Sequence, residues 1–560
     1  MNGTPPASAP HRGRSDGSRC GAPLPLAVEQ RDRSTVRRQD AWLDVAISLL
    51  LFAGVVLYLT AFPRSLGEGD ESYFLLESKR IVEGEVLYRD IFWFAMPAAH
   101  WTMALIFAAF GTSIDVARSA MAVVHGLTAI ALFAVCRRLG VRREFALVPP
   151  IAHVGLCQPA WPFASPHWFS TFLMVLLLFA VLGRAWVRRA TSAFLLGALT
   201  GALTAVYQQK GAAFAVAIGG LFVLEDFLRR SFRADGGGRT VRVRLLSYGA
   251  GIAIVVVPVL CALAASAGVS DLLDQLVIHP LTGYRAYNST SWGGGVNIMV
   301  ADLARSTVPT ILKYAPLVLI IGAIRLGRNW IGRRDRETCS NLLALIVLCG
   351  AAALAVGYYP DFIHLAFIAP LFFVFWSETI EAALRTIAPR SVLWGPVAAA
   401  GLLAVLGVHL ARNLVEARRE YPFSYPTAFG RIAFRDDKEV PLLELVRAAI
   451  RDDPAHGLFV YPVFTALYLT TDGHNPTRQQ FLIRGYNSAR HFSDTLQRLD
   501  ASRVAHVVTC DAMITSGDPI KSYVQEYYEP VGSGPGFLGR AVCTLYRRRE
   551  VTAGRPDRWG

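Results

Sequence analysis

The chain has 560 residues, is 53% hydrophobic and only 18% charged, and carries a formal net charge of +14 with a mean hydropathy of +0.37. Apolar residues are too abundant for a disordered or collagen-like chain, and eight cysteines in this length are too few for a disulfide-stapled secreted miniprotein. The balance points to a bilayer as solvent, where surplus basic charge first signals loops held against an anionic cytoplasmic leaflet and speaks against nucleic acid as the partner.

Residues 1–40 are rich in Pro, Ser, Gly and Arg without apolar periodicity, and read as a disordered basic cytoplasmic arm. A spanning helix needs roughly 20 mostly apolar residues, because a ~30 Å hydrocarbon core is crossed at ~1.5 Å per residue with every backbone group paired internally. Eleven stretches suit that role, at 43–62, 114–136, 145–158, 168–186, 192–207, 212–227, 245–267, 308–326, 341–358, 364–380 and 392–410, within a membrane domain over 41–412. The third and fifth are short, and the third contains Pro149-Pro150. The first is not read as a cleaved signal peptide, since a long polar stretch precedes it.

Arginine sets the orientation. Arg137, Arg138, Arg142 and Arg143, then Arg184, Arg188 and Arg189, then Arg229 and Arg230, and then Arg325 and Arg328 fall on one set of connections, while Lys210 stands alone on one of the alternate set. The arginine-rich set is therefore expected in the cytoplasm of a bacterial cell whose inner membrane the chain crosses, with the N-terminus inside and the chain after Arg412 outside. Residues 413–560 alternate helix-like 440–450, strand-like 457–461, helix-like 492–499, strand-like 504–509, helix-like 520–528 and strand-like 540–546. The predicted fold class is thus a polytopic α-helical membrane protein of about eleven spans with a C-terminal extracytoplasmic α/β domain over 413–560. Cys510 and Cys543 fall on two of the predicted strands; they could pair, but spacing alone does not show it.

Ionisable residues gathered at one face of a polytopic protein are costly without a role. The first outer connection, 64–112, is the richest in them: Asp70-Glu71 follows the first span closely, 72–82 has helical periodicity suited to the interface, and Tyr73, Tyr88, Phe92, Trp93 and Trp101 could stack on a sugar. Its Asp70, Glu71 and Tyr73, then Gly84, Tyr88, Arg89 and Asp90, then Pro97 and His100, form an ordered series that resembles the GT-C glycosyltransferases, in particular bacterial relatives of protein O-mannosyltransferases and of the aminoarabinose transferase of lipid A. Met96-Pro97-Ala98-Ala99-His100 departs from the more usual His-Pro-Pro-Leu of that series.

The resemblance implies an inverting transfer of sugar from a polyprenyl-phosphate donor to a glycan, glycolipid or protein acceptor at the outer face of the membrane. An attacking hydroxyl must lose its proton, so a carboxylate is needed as general base, and Asp70 matches it, with Glu71 beside it. The phosphate leaving group needs cationic or hydrogen-bonding partners. Candidates recur at the outer hinges: Arg89, Asp90 and His100 in the first connection, His167 in Ser165-Pro166-His167-Trp168, Lys210 in Gln208-Gln209-Lys210-Gly211, and Asp361 and His364 in the connection beginning Tyr358-Tyr359-Pro360. His167 and His364 could equally orient the acceptor or ligate a divalent ion, although no spacing amounts to a closed zinc site and no cofactor is otherwise signalled.

Structural alternatives stand beside each of these. Asp70 could cap the helix that follows, Arg89 and Asp90 could fix their loop, and Lys210 could snorkel at the interface. The stretch 270–307, with His279, Trp292 and Gly293 to Gly295, could be a flap over the site or a passive loop. At the level of function, a transporter or flippase of lipid-linked sugars and a non-catalytic envelope-assembly protein are the alternatives, the former expecting charges buried in mid-span.

Overall fold

In the computed structural model, described for residues 26–67, 69–231, 238–288, 290–294, 307–332, 336–387, 393–511, 513–514, 517–536 and 541–549, apolar helices occupy the chain to Glu420 and strands begin only at Phe423. The chain divides into two units, Met1–Ile47 and Ser48–Gly560. In the first, positions 1–25 of the expected disordered arm lie outside the described residues, and its remainder is already helical, since the helix Leu26–Thr60 starts directly after Pro25. Nothing from Leu26 to the first span is glycine or proline, so nothing in that stretch interrupts the helix.

Among the described residues seven helices are long and apolar enough to cross a membrane: Asp40–Thr60, Ile114–Arg138, Val241–Ala267, Val308–Ile331, Arg336–Ala355, Phe362–Ile387 and Trp394–Glu420. The other predicted spans are helical too. Pro166–Leu182 and Ala190–Val206 are shorter, Gln208–Ser231 carries charge at its end, and the third is broken into Arg143–Ala146, Val148–Ala152, a π turn at His153–Cys157 and a 3-10 turn at Gln158–Ala160. Pro149, Pro150 and Pro159 account for the breaks, because each removes a backbone donor. Close packing is decided locally by small residues: a Cβ on Gly197 would stand 2.0 Å from the Tyr248 carbonyl, and one on Gly251 2.0 Å from that of Phe194. The helices Ala190–Val206 and Gly238–Ala267 can approach only because both positions are glycine.

After Glu420 come a hairpin of β1 (Phe423–Thr427) and β2 (Gly430–Phe434) and a four-stranded sheet of β3 (Leu458–Tyr461), β4 (His506–Cys510), β5 (Tyr528–Pro535) and β6 (Val542–Arg548) in the order β3-β4-β6-β5. β3 and β4 are parallel, and the other pairs antiparallel. Helices Val440–Arg451, Ala489–Ser502 and Pro519–Tyr527 fall where apolar periodicity predicts them. The hairpin and β5 were not predicted, because Pro426 and the Pro530 to Pro535 run of proline and glycine hide the alternation that marks a strand. Phe459, Tyr461, Leu499, Val507, Ile520 and Tyr528 form the core of this part.

Cys510 and Cys543 stand directly opposite each other on β4 and β6 and form a disulfide. Reducing it is expected to cost the C-terminal segment about 2–4 kcal/mol, seen as an earlier unfolding transition by β-sheet circular dichroism; an unmoved transition would make the bond incidental.

The C-terminal segment is pinned to the first connection and to the 270–307 stretch. The Arg80 guanidinium donates to the Thr477 carbonyl at 3.0 Å, the Phe92 amide donates to the Arg478 carbonyl at 2.8 Å, and Arg478 pairs with Asp271 at 3.1 Å.

Candidate active site

The helix Asp70–Val82 begins after Gly69, whose φ of 87° turns the chain sharply and makes Asp70 its first residue. No side chain caps this helix, so Asp70 does not serve as the cap considered above. Its carboxylate is exposed and lines a cavity of about 820 Å³. The protein mass around that cavity pushes the Asp70 pKa up by desolvation; nearby His364 opposes the shift and Asp361 adds to it.

Glu71 points elsewhere. It is fully buried, accepts from the amides of Gly67 at 2.6 Å and Ala164 at 2.7 Å, and pairs with Arg118 at 3.0 Å. Burial pushes its carboxyl up as well, with Arg118 and the two amides holding it down in part. The neighbouring carboxylates therefore have different surroundings, Asp70 open to the cavity and Glu71 locked into the wall behind it. Arg118→Met would leave Glu71 buried without its counter-charge, at an expected loss of about 3–5 kcal/mol of stability. Thermal unfolding in lipid nanodiscs checks it; an unshifted midpoint would show the pair to be dispensable.

Three other outer-hinge candidates reach the same cavity: His167, Asp361 and His364. Asp361 precedes the helix Phe362–Ile387, accepts the backbone N–H of His364 at 2.7 Å as an N-cap and faces its ring Nδ1 at 2.8 Å. An ionised carboxylate only accepts, so the ring proton rests on Nδ1 and leaves Nε2 as the free nitrogen. His167 follows Ser165, which caps the helix Pro166–Leu182. Its ring is sandwiched between Tyr207, at 4.3 Å, and Phe367, at 4.4 Å.

Lys210 does not itself line the cavity but stands behind His167, 1% exposed. Its ammonium is 3.0 Å from His167 Nδ1 and 2.7 Å from Ser170 Oγ, and among the described residues no carboxylate pairs with it. An ammonium can only donate, so His167 accepts at Nδ1 and carries its proton on Nε2. Burial lowers the Lys210 pKa to about 7, and in its protonated form the cluster holds a buried positive charge directly behind an imidazole.

The remaining candidates lie apart. Arg89 and Asp90 pair with each other at 2.7 Å, Asp90 also accepting the Val86 amide at 2.9 Å, and neither lines the cavity. They fix their turn, and Arg89 holds the Asp90 carboxyl below its usual range. His100 is fully buried with its Nε2 2.8 Å from a Glu77 carboxylate oxygen, and likewise does not reach the cavity. Burial pushes Glu77 well up and His100 down to about 3, which leaves both neutral. Among the described residues no group of three or more His, Cys, Asp and Glu is gathered as a metal site.

No sequence signal marked Trp161 or Tyr207, which line the cavity together with Tyr284, Tyr287, Tyr358, Tyr359 and Tyr486. Trp161 and Tyr207 each sit singly at the end of a turn or helix, so no local pattern marks them. The 270–307 stretch contributes Pro280, Leu281, Tyr284 and Arg285 to the wall, and its positions 295–306 lie outside the described residues. The C-terminal segment supplies Phe464, Phe481, Ile483 and Tyr486, so the cavity is completed by both parts of the chain.

No family model matches the sequence, and comparison with curated proteins gives no match either. Solved structures do match. ArnT from Cupriavidus metallidurans bound to undecaprenyl phosphate superposes with a TM-score of 0.53 at 14% identity, covering 90% of this chain and 97% of that one. The same protein in its apo state gives 0.51 at 13% identity, covering 91% and 98%. At that identity the likeness concerns architecture, and its coverage takes in the helical bundle and the α/β segment together: the chain has the GT-C fold of ArnT.

Proposed function

We propose that the chain is an inverting glycosyltransferase that moves a sugar from a polyprenyl-phosphate donor to an acceptor hydroxyl at the outer face of the bacterial inner membrane, its N-terminus in the cytoplasm and its α/β domain outside. The observation that carries this reading is the cavity itself. A carboxylate of raised pKa, Asp70, shares about 820 Å³ with an imidazole, His167, backed by the buried Lys210, for which no carboxylate partner stands among the described residues. The structural neighbour bound to undecaprenyl phosphate supports the same donor class.

In the reaction the acceptor oxygen attacks the anomeric carbon as Asp70 takes its proton, and the bond from that carbon to the phosphate oxygen breaks on the opposite face. The leaving polyprenyl phosphate gains negative charge, which His167 Nε2–H stabilises with Lys210 behind it. The Asp361–His364 pair holds a second imidazole nitrogen toward the same space, and the aromatic wall suits sugar faces and isoprene units.

Purified protein in nanodiscs, given radiolabelled polyprenyl-phosphate sugars and membrane extract, is expected to release polyprenyl phosphate and label an acceptor. If no donor yields transfer while labelled lipid crosses the bilayer, the chain is instead a flippase.

A further inference from the structure

Neither the cavity described above nor the smaller one that adjoins it at Trp161 reaches the opposite end of the bundle, where the arginine-rich connections lie. There the helices Ala190–Val206 and Gly238–Ala267 pack side by side. Gly197 meets Tyr248 and Gly201 meets Ile252, so the two helices run in the same direction and position 190 falls level with 241. Arg188 and Arg189, which close the turn before the first helix, therefore stand beside Arg242 and Arg244 near the start of the second. A direct contact spans the junction: Arg244 donates to the Val187 carbonyl.

Guanidinium groups gathered in so small an area repel one another unless anions are supplied. Some cations of this end are already used, since Arg244 is tied as above and Arg184 donates to the Glu337 carbonyl at 2.8 Å and to Asn341 Oδ1 at 2.9 Å. The carboxylates are engaged as well: Glu225 pairs with Arg336 at 3.0 Å and accepts from the Ser340 hydroxyl, and Asp226 and Glu337 have partners of their own. Arg188, Arg189 and Arg242 are exposed, and among the described residues no carboxylate pairs with any of them.

What lies below the charges selects the ligand. On Gly238–Ala267, Arg242, Leu246, Gly249, Ala253 and Val257 recur at helical spacing and share one exposed face. Leu246 is 66% and Val257 52% exposed, and a Cβ at Gly249 would meet nothing within 4 Å. The face is thus an apolar lane open to acyl chains, and it ends in uncompensated guanidinium groups at headgroup level. A free phosphate would satisfy the cations and leave the lane bare. A zwitterionic headgroup brings its own cation to compete with the arginines, whereas an anionic phospholipid satisfies both the charges and the lane.

We infer that Arg188, Arg189 and Arg242 form a site for the phosphodiester of an anionic phospholipid whose acyl chain lies along Leu246, Ala253 and Val257. The orientation proposed above puts this site in the cytoplasmic leaflet, across the membrane from Asp70.

The test uses the full chain in maltoside detergent and native mass spectrometry, with dioctanoyl phosphatidylglycerol, dioctanoyl phosphatidylcholine and inorganic phosphate as probes. Phosphatidylglycerol should bind about tenfold or more tightly than phosphatidylcholine, and an excess of inorganic phosphate should not displace it. Each of Arg188→Gln, Arg189→Gln and Arg242→Gln should weaken its binding about fivefold, and the triple variant about a hundredfold. Arg419→Gln, which removes an exposed arginine from the other end of the bundle, should change nothing. Leu246→Glu, which keeps every arginine and sets a carboxylate in the lane, should also lose binding. Equal binding of the two lipids, displacement by inorganic phosphate, or a triple variant that binds like wild type overturns the inference. Neither sugar donor nor turnover enters this measurement, so its failure would leave the glycosyltransferase reading standing, and absence of transfer would leave this site standing.

Discussion

Asp70→Asn is expected to lower sugar transfer by a factor of about 10² to 10⁴ while binding of polyprenyl phosphate is retained. Asparagine keeps the shape of the side chain but takes up no proton, so the attacking hydroxyl loses its base while His167 and Lys210 are left unchanged. The pH dependence gives a second readout. A base works only when deprotonated, so the rate falls as pH drops through its pKa, and desolvation places that acid limb above the usual carboxylate range. Equal transfer by wild type and Asp70→Asn, or an acid limb at the position of an ordinary aspartate, would remove Asp70 from the role of base.

Lys210→Met should weaken donor binding roughly ten- to a hundredfold, the range set by about 1.5–3 kcal/mol for a hydrogen bond involving a charged group. Because Lys210 reaches the cavity only through His167, it is a positioning residue, and the structure makes a sharper demand than a simple loss. His167→Gln should weaken binding of undecaprenyl phosphate to a similar degree, and the double variant should be little worse than either single one. Losses that add would mean that the two groups act separately and that the relay is absent. A Lys210→Met protein that binds undecaprenyl phosphate normally would return Lys210 to a packing role.

Much of the architecture was legible in the chain because its signals are local. Apolar runs of spanning length mark the bundle, prolines mark the broken third span, and periodicity in the C-terminal part places three helices and strands β3, β4 and β6 within a few residues. What was hidden had no local pattern, as in β5, where proline and glycine interrupt alternation. The candidate site was legible in a different way. Asp70, His167, Lys210, Asp361 and His364 each stand out as a polar residue beside an apolar run, and the structure gathers all five.

The same local rule also selected Arg89, Asp90 and His100, and here it could not discriminate. A charge next to an apolar segment looks alike in sequence whether its partner is a substrate or a neighbouring side chain. The fold separates them: Arg89 and Asp90 satisfy each other, and His100 is enclosed with Glu77. It likewise divides Asp70 from Glu71, since consecutive residues on a helix point about 100° apart, and Arg118 with the Gly67 and Ala164 amides holds Glu71 in the wall. The sequence by itself thus determined that the chain lives in a membrane and which polar residues are unusual there, because hydrophobic burial is read residue by residue. Only the tertiary structure decided which of them share a cavity, that Lys210 stands behind His167, and that a second cavity adjoins the first. Those facts depend on the pairing of residues hundreds of positions apart, which no stretch of the chain records alone.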